Sequence, residues 1–386
     1  MAFRVFVVVI DGLGVGALPD ASSFGDEGTN TLVHVSRVAG GVLLPYLAGL
    51  GLGAVVPEAR LLPQAGGSVS GAHGRMAQAA GGKDTLSGHW ELMGLVREEP
   101  FPVYPGGFPA GLVRDLELAA GTRFLGNRPA SGTRILDELG AEHLRTGWPI
   151  LYTSADSVLQ LAAHEEVVPP TELYRICAAA RALFPVGRVI ARPFRGEPGA
   201  FARTEGRRDY ALPPPGPTLL DRVAEAGHEV WAIGKVEDIF AGRGVTRSVR
   251  GSGNREVAAG LATSARLAGS GLVLATLADT DSRYGHRNDP QGFARELECL
   301  DGYLARLAAT LGPTDRLFVT ADHGCDPTSA GTDHTREYVP VLVGGVMRAV
   351  DVGTRATMAD LAATVGDLLE LPAGGTGRSF ARELEG

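Results

Sequence analysis

Lysine is nearly missing from this chain of 386 residues: of 36 basic residues only Lys83 and Lys235 are lysines, and the rest are arginine. Cysteine is scarce too. Cys177, Cys299 and Cys325 are odd in number and far apart, so no disulfide framework is implied. No apolar run reaches the length that spans a bilayer, and the opening "MAFRVFVVVIDGLG" lacks the basic, apolar, small-residue order of a secretory signal. Positive net charge is also lacking: the formal value is -8, which argues against a general nucleic-acid binder but leaves room for local phosphate pockets. The expectation is a cytoplasmic protein with neither nucleic acid nor membrane as a partner. What is present is ordinary for a globular protein, with 44% hydrophobic and 21% charged residues in a length that suits two domains.

The pattern along the chain is α/β. "FRVFVVVID" (3–11) is a continuous β-branched run ending in an acid, as a buried parallel strand requires. "GLVLATLADTD" (271–281) and "DRLFVTADHG" (315–324) read the same way, and "YVPVLVGG" is a further strand. Helical spacing appears in "TNTLVHVSRVAG" (29–40), in "DTLSGHWELMGLV" (84–96) and in the long "QGFARELECLDGYLARLAATLG". Proline thickens in "EEPFPVYPGGFP" (98–109) and again in "LPPPGP" (212–217). Two such stretches about a hundred residues apart suggest an inserted domain that the chain enters and leaves once each. The expected fold is therefore a doubly wound, mostly parallel sheet formed by 1–97 and 213–386, with a smaller α/β domain at 98–212.

Three of the buried strands end in acids: Asp11, Asp281, and Asp322 followed by His323. Open α/β sheets bind ligands outside the carboxyl ends of their strands, so three segments deliver carboxylates to one edge. Unbalanced, such a cluster would repel itself, and a divalent cation resolves the problem. His286, five residues after Asp281, and His334 in "GTDHTRE" bring the set to three Asp and three His. Six donors suit two metals with open positions, and the carboxylate and imidazole mix fits Mn²⁺ or Zn²⁺ better than Ca²⁺. Asp279, Asp289, Asp326 and Asp333 are nearby acids expected either to be structural or to support the ligands from behind.

"GGKDTLSGHWELMG" (81–94) places Thr85 at a helix start behind a Gly pair that reads as a hinge. A threonine there either caps its helix or meets a phosphate at the exposed amides. Beside a two-metal site its hydroxyl becomes a candidate covalent nucleophile.

Taken in order, "VIDGLGVG", "GKDTLSGHWE", "YTSADSVLQLAAHEE", "ARPF", "IGKVEDIF", "TDSRYGHRND" and "ADHGCDPTSAGTDHTREYVPVL" closely resemble the phosphopentomutases of the alkaline phosphatase superfamily. The resemblance covers the whole chain. It implies a core of alkaline-phosphatase type with an inserted cap domain, two metal ions that are usually Mn²⁺, and pentose phosphates as small-molecule partners. It also implies a sugar bisphosphate activator that phosphorylates Thr85, and a monomer or weak oligomer. By motif, one metal falls to Asp281, His286 and His334, the other to Asp11, Asp322 and His323, with Thr85 between them. Substrate contacts fall to Ser154, Asp156, Arg192, Arg207 and Lys235. Two positions depart from the family pattern: Gly206 stands where Asn is usual, which weakens the transfer to Arg207, and Asn288 stands where arginine is common.

The implied reaction interconverts ribose 1-phosphate and ribose 5-phosphate, and likewise the 2-deoxy sugars, through phosphothreonine and a bisphosphate. The competing reading within enzymes is a metal-dependent phosphatase or phosphodiesterase of the same superfamily; the cap decides, because a mutase must keep water from the phosphoenzyme. A cofactor-independent phosphoglycerate mutase would use serine as nucleophile, and a sulfatase would need its own Cys or Ser signature. A metal-binding regulatory protein without catalysis is the remaining class.

Overall fold

The structure, a computed structural model, describes residues 3–62, 69–154 and 157–385. Asp156 lies outside the described residues. The chain divides into two compact units, Met1–Pro100 with Pro214–Gly386 and Phe101–Pro213. Both crossings fall inside the Pro-rich stretches.

The first unit contributes β1 (Arg4–Ile10) and β2 (Ala72–Met76) before the chain leaves it. The second unit holds β3 (Leu125–Pro129), β4 (Ile150–Thr153), β5 (Val158–His164), β6 (Arg188–Arg195), β7 (Ala202–Arg203) and β8 (Arg208–Ala211). On its return the first unit adds β9 (Glu229–Ile233), β10 (Arg247–Val249), β11 (Gly271–Leu277), β12 (Arg316–Thr320), β13 (Val339–Gly344) and β14 (Val350–Arg355).

In the first unit these form one eight-stranded sheet ordered β10-β9-β11-β1-β12-β13-β2-β14. All neighbours are parallel except β13, which runs against both β12 and β2. β1 sits between β11 and β12, and Val5 to Ile10 are buried, because helices cover both faces of a parallel sheet. That explains the unbroken "VFVVVI": neither face has a polar side to alternate toward. The carboxyl ends of β9, β11, β1 and β12 therefore open on one edge.

The second unit has its own six-stranded sheet, β3-β4-β5-β6-β7 with β8 also pairing β6. Side chains alternate between two cores, as a period of two dictates. Leu151, Leu159 and Leu161 pack with Leu116, Leu173 and Ile176 of the helices Ala110–Ala120 and Pro170–Leu183. Ile150, Tyr152, Ala162 and Phe194 pack with Ile135 and Leu136 of the helix Arg134–Thr146 on the other face. The three cysteines are free, and among the described residues no helix is long and apolar enough to cross a membrane.

Candidate active site

Three adjacent parallel strands deliver the acids. Asp11 follows β1 directly, and Asp322 with His323 follow β12. The run "GLVLATLADTD" behaves differently from the expected single strand: β11 ends at Leu277 and Thr280–Tyr284 form a π-helical turn. Two ties enforce the break. Asn254 and Asp279 exchange backbone-to-side-chain hydrogen bonds at 3.1 and 3.2 Å, and the Thr280 hydroxyl donates to the Asp11 carbonyl at 2.6 Å. The turn carries Asp281 over the end of β1, a common use of π-turns at functional sites.

The six sequence-predicted donors converge. His286 Nε2 lies 3.2 Å from Asp281 Oδ2, and His334 Nε2 lies 3.6 Å from Asp281 Oδ1 and 3.1 Å from His286 Nε2. His323 Nε2 lies 3.2 Å from Asp322 Oδ2 and 3.5 Å from Asp11 Oδ1, and its ring stacks on His334 at 3.8 Å. Two three-residue groups have donor atoms within 4.8 Å of one another: Asp281, His286 and His334, and Asp11, Asp281 and His323. Asp281 thus belongs to both, a sharing that the sequence did not reveal.

Backbone carbonyls orient two of the imidazoles. His286 Nδ1 donates to the Thr332 carbonyl at 2.6 Å and His323 Nδ1 to the Gly324 carbonyl at 3.1 Å, which makes each Nε2 the nitrogen that could accept a metal.

The electrostatics are those of a site built for positive charge. Burial, with repulsion from Asp322 and Asp281, pushes the Asp11 carboxyl well above its usual range. Burial also acts on Asp281 and Asp322, but imidazoles win: His334 and His286 hold Asp281 low, and His323 and His89 hold Asp322 at about 2. Burial and the neighbouring His323 depress His334 to about 3. Asp11 Oδ1 and Asp281 Oδ1 are buried with no hydrogen-bond donor among the described residues. Buried polar atoms without partners are expensive, and here they point into one cluster, so the residues fit divalent cations.

Thr85 opens the helix Thr85–Leu92, but it does not cap it. Asp84 is the cap, accepting from Leu86 and Ser87 N–H at 3.1 Å, and its other oxygen accepts the Ser87 hydroxyl at 2.6 Å. Ser87 is thereby occupied, while Thr85 Oγ1 lies 3.3 Å from His323 Nε2. Gly88 permits this approach, since a Cβ there would overlap the Asp322 carbonyl oxygen. His89, one turn on, was missed as a site residue: Nδ1 lies 2.9 Å from the Thr85 carbonyl and 3.0 Å from Asp322 Oδ2, and Nε2 lies 2.7 Å from the Thr276 hydroxyl. Its spacing of four from Thr85 was the available signal.

A model of the Metalloenzyme superfamily matches residues 3–373. A phosphopentomutase from Caldanaerobacter subterraneus subsp. tengcongensis is 50% identical over 390 residues, covering 100% of this chain and 98% of that protein. One from Carboxydothermus hydrogenoformans is also 50% identical, covering 99% of each. The chain belongs to the phosphopentomutase family. It is therefore a metalloenzyme-superfamily isomerase that works by phosphoryl transfer. The fold is shared with the PH0037 protein from Pyrococcus horikoshii, at a TM-score of 0.50 and 14% identity over 98% of this chain and 100% of that one.

The residues that the sequence resemblance offers as substrate contacts distribute over both units. In the first, Lys235 follows β9 and is exposed, and its charge helps to lower Asp11. Lys83, the other lysine, is tied instead to Asp26 at 2.8 Å and to Asp333 at 3.6 Å.

In the second unit Ser154 follows β4 and is half-buried. Arg192 lies on β6, where burial depresses its guanidinium to about 10, Tyr152 opposes that, and Arg207 and Arg203 add repulsion. Arg207 is exposed and forms a two-pronged pair with Asp209 at 2.8 and 2.7 Å. Gly206 packs so that a Cβ would sit 2.9 Å from Pro193 Cγ, and its carbonyl accepts from Tyr174. Asn288, at φ 52, suits the left-handed region and donates to the Ser329 and Gly331 carbonyls at 3.1 Å.

The four nearby acids have structural partners. Asp279 binds Asn254, Asp289 caps the helix Pro290–Ala308, Asp326 holds His34, and Asp333 accepts from the His334 N–H.

Proposed function

We propose that the chain interconverts ribose 1-phosphate and ribose 5-phosphate, and the corresponding 2-deoxyribose phosphates, with Thr85 as the covalent carrier. The observation that carries this reading is the hydroxyl of Thr85, released from capping by Asp84 and held 3.3 Å from His323 in the donor cluster. Two ions, for which Mn²⁺ suits the three Asp and three His, would be held by Asp281, His286 and His334 and by Asp11, Asp322 and His323, and would supply charge stabilisation for phosphoryl transfer.

The chain's own residues do the rest. Phospho-Thr85 gives its phosphoryl group to the free hydroxyl of the sugar monophosphate; the hydroxyl proton replaces it on Thr85 Oγ1, and a sugar bisphosphate results. After the sugar turns, Thr85 Oγ1 attacks the other phosphorus, its proton passes to the departing sugar oxygen, and phosphothreonine is restored. Each cycle balances. A sugar bisphosphate is needed only to phosphorylate Thr85 at the outset. Exposed amides at the helix start and Lys235 favour the anion. On this reading the second unit serves as the substrate domain, contributing Ser154, Asp156, Arg192 and Arg207 to sugar-phosphate binding. A cytoplasmic monomer or weak oligomer acting on small pentose phosphates completes the reading.

The test is phosphoryl capture. Protein loaded with Mn²⁺ and incubated with ribose 1,5-bisphosphate should yield a phosphopeptide carrying the label on Thr85. Thr85→Ala should lose isomerisation while retaining metal. Label on Ser87 would show the wrong hydroxyl was chosen, and quantitative release of inorganic phosphate would favour a phosphatase.

A further inference from the structure

The segment that leads into Thr85 is gripped from two sides. Glu91, buried in the same helix as Thr85, accepts from the backbone N–H of Ala79 at 2.8 Å and of Ala80 at 2.7 Å. On the other side the buried guanidinium of Arg336 donates from Nη1 to the Ala80 carbonyl at 2.7 Å and the Gly82 carbonyl at 3.2 Å, and from Nη2 to the Gln78 carbonyl at 3.0 Å. Nη1 also reaches Gln78 Oε1 at 3.1 Å. Asp20 takes Nε at 3.2 Å and Nη2 at 3.0 Å, and the Phe24 ring lies 4.9 Å from the guanidinium carbon.

The backbone joins in. Arg336 N–H donates to Asp26 Oδ2 at 2.8 Å, and the same oxygen accepts Lys83 Nζ at 2.8 Å. The Gly81-Gly82 pair that reads as a hinge in the sequence is instead a place of close packing, because a Cβ on Gly81 would overlap the Glu98 carbonyl oxygen.

Arg336 stands two residues after His334, so one side chain fastens the loop that bears a metal-site histidine to the segment that bears the nucleophile. We infer that Arg336 is a positioning residue for phosphoryl transfer, setting Thr85 relative to the His334 cluster through the carbonyls of residues 78, 80 and 82. The inference rests on the reading of Thr85 as phosphoryl carrier. Only a planar fork can serve these carbonyls and Asp20 together. Lysine, a point charge with three donors, keeps the charge but loses the geometry.

Misplacing a reacting group by about 1 Å costs about 100-fold in rate. Full-length Mn²⁺-loaded Arg336→Lys should therefore lose kcat by about that factor, with KM within about threefold and metal affinity unchanged. In Arg336→Ala, guanidinium ion at non-denaturing concentration should restore part of kcat, and methylammonium should not. Should Arg336→Ala fail to fold, Asp20→Asn, altered at a side chain that is 50% exposed, should show a smaller fall in kcat of the same kind. Arg336→Lys with kcat within about threefold of wild type would overturn the inference, as would metal affinity falling in step with kcat. Phosphoryl capture separates the two readings: label away from Thr85 sinks the nucleophile, whereas label on Thr85 with a fast Arg336→Lys sinks this inference alone.

Discussion

Gly88→Ala tests the geometry of the site at a position that touches neither substrate nor metal. Gly88 lies inside the helix Thr85–Leu92, where alanine is the better residue by about 0.8–1 kcal/mol of helix propensity. Propensity alone predicts a more stable protein. The structure predicts the opposite, because a Cβ at Gly88 would overlap the Asp322 carbonyl oxygen and lie 2.9 Å from both the carbonyl carbon and the Cβ of that residue. Carbon atoms prefer separations of about 3.5–4.0 Å, so the helix must retreat by roughly 0.6–1 Å. Overpacking of this kind costs about 1–3 kcal/mol, which outweighs the propensity gain or cancels it. The retreat also draws Thr85 Oγ1 away from His323, now 3.3 Å distant.

A displacement of that size predicts a loss of about 10- to 100-fold in kcat, with KM and metal stoichiometry little changed. Isomerisation of ribose 1-phosphate, a metal titration and a thermal melt read the three quantities on one preparation. A Gly88→Ala protein with kcat within about twofold of wild type and a raised melting temperature would show that propensity wins and that the helix does not set the Thr85 position.

Chelation should abolish activity and Mn²⁺ should restore it, and His334→Ala should lose metal binding along with turnover; full activity without metal would end the two-ion reading. Lys235→Arg keeps the charge but replaces a compact cation with a broad fork, and a charge-assisted hydrogen bond is worth about 1.5–3 kcal/mol, so kcat/KM should fall by about one to two orders of magnitude. A value within about twofold of wild type would make that lysine an accident of composition. In the second unit His143 donates from Nδ1 to the Trp148 carbonyl at 2.8 Å and accepts at Nε2 from the His164 N–H at 2.8 Å, and burial lowers its pKa below 6.5. Below pH 6.5 the unfolded chain binds a proton that the folded chain refuses, so stability should fall with acid there and be flat above it; His143→Gln should remove that slope, and an unchanged melt-versus-pH curve would contradict it.

The positions of Asp11, Asp322 and His323 were legible because a buried parallel strand leaves a plain mark, an unbroken β-branched run, and the first polar residue after it has few places to go. Asp11, Asp322 and His323 sit at such ends, on the neighbours β1 and β12. Asp281 reads in the sequence as the end of a strand, and the structure gives it a different local setting. "LADTD" looks like a strand running on, and only the Asn254–Asp279 exchange and the Thr280–Asp11 bond, both long-range, turn it into a π-turn. β2, "AHGRM", has no β-branched residue, and its strand conformation comes from pairing with β13 and β14 rather than from its own preferences.

Composition marks Lys83 and Lys235 as the rare cations, and the fold gives them different settings: Lys83 is bound to Asp26 in the segment that leads into Thr85, and Lys235 is exposed after β9. Arg336, one of the common arginines, holds more of the site together than Lys83 does. Rarity in a sequence marks where one residue type does not fit. It carries no information about which of the abundant ones is buried, because burial is decided by carbonyls such as those of Gln78, Ala80 and Gly82, far away in the chain. A residue that works through backbone partners leaves no motif, so Arg336 becomes visible only when the hydrogen bonds of residues 78–84 are followed to their ends.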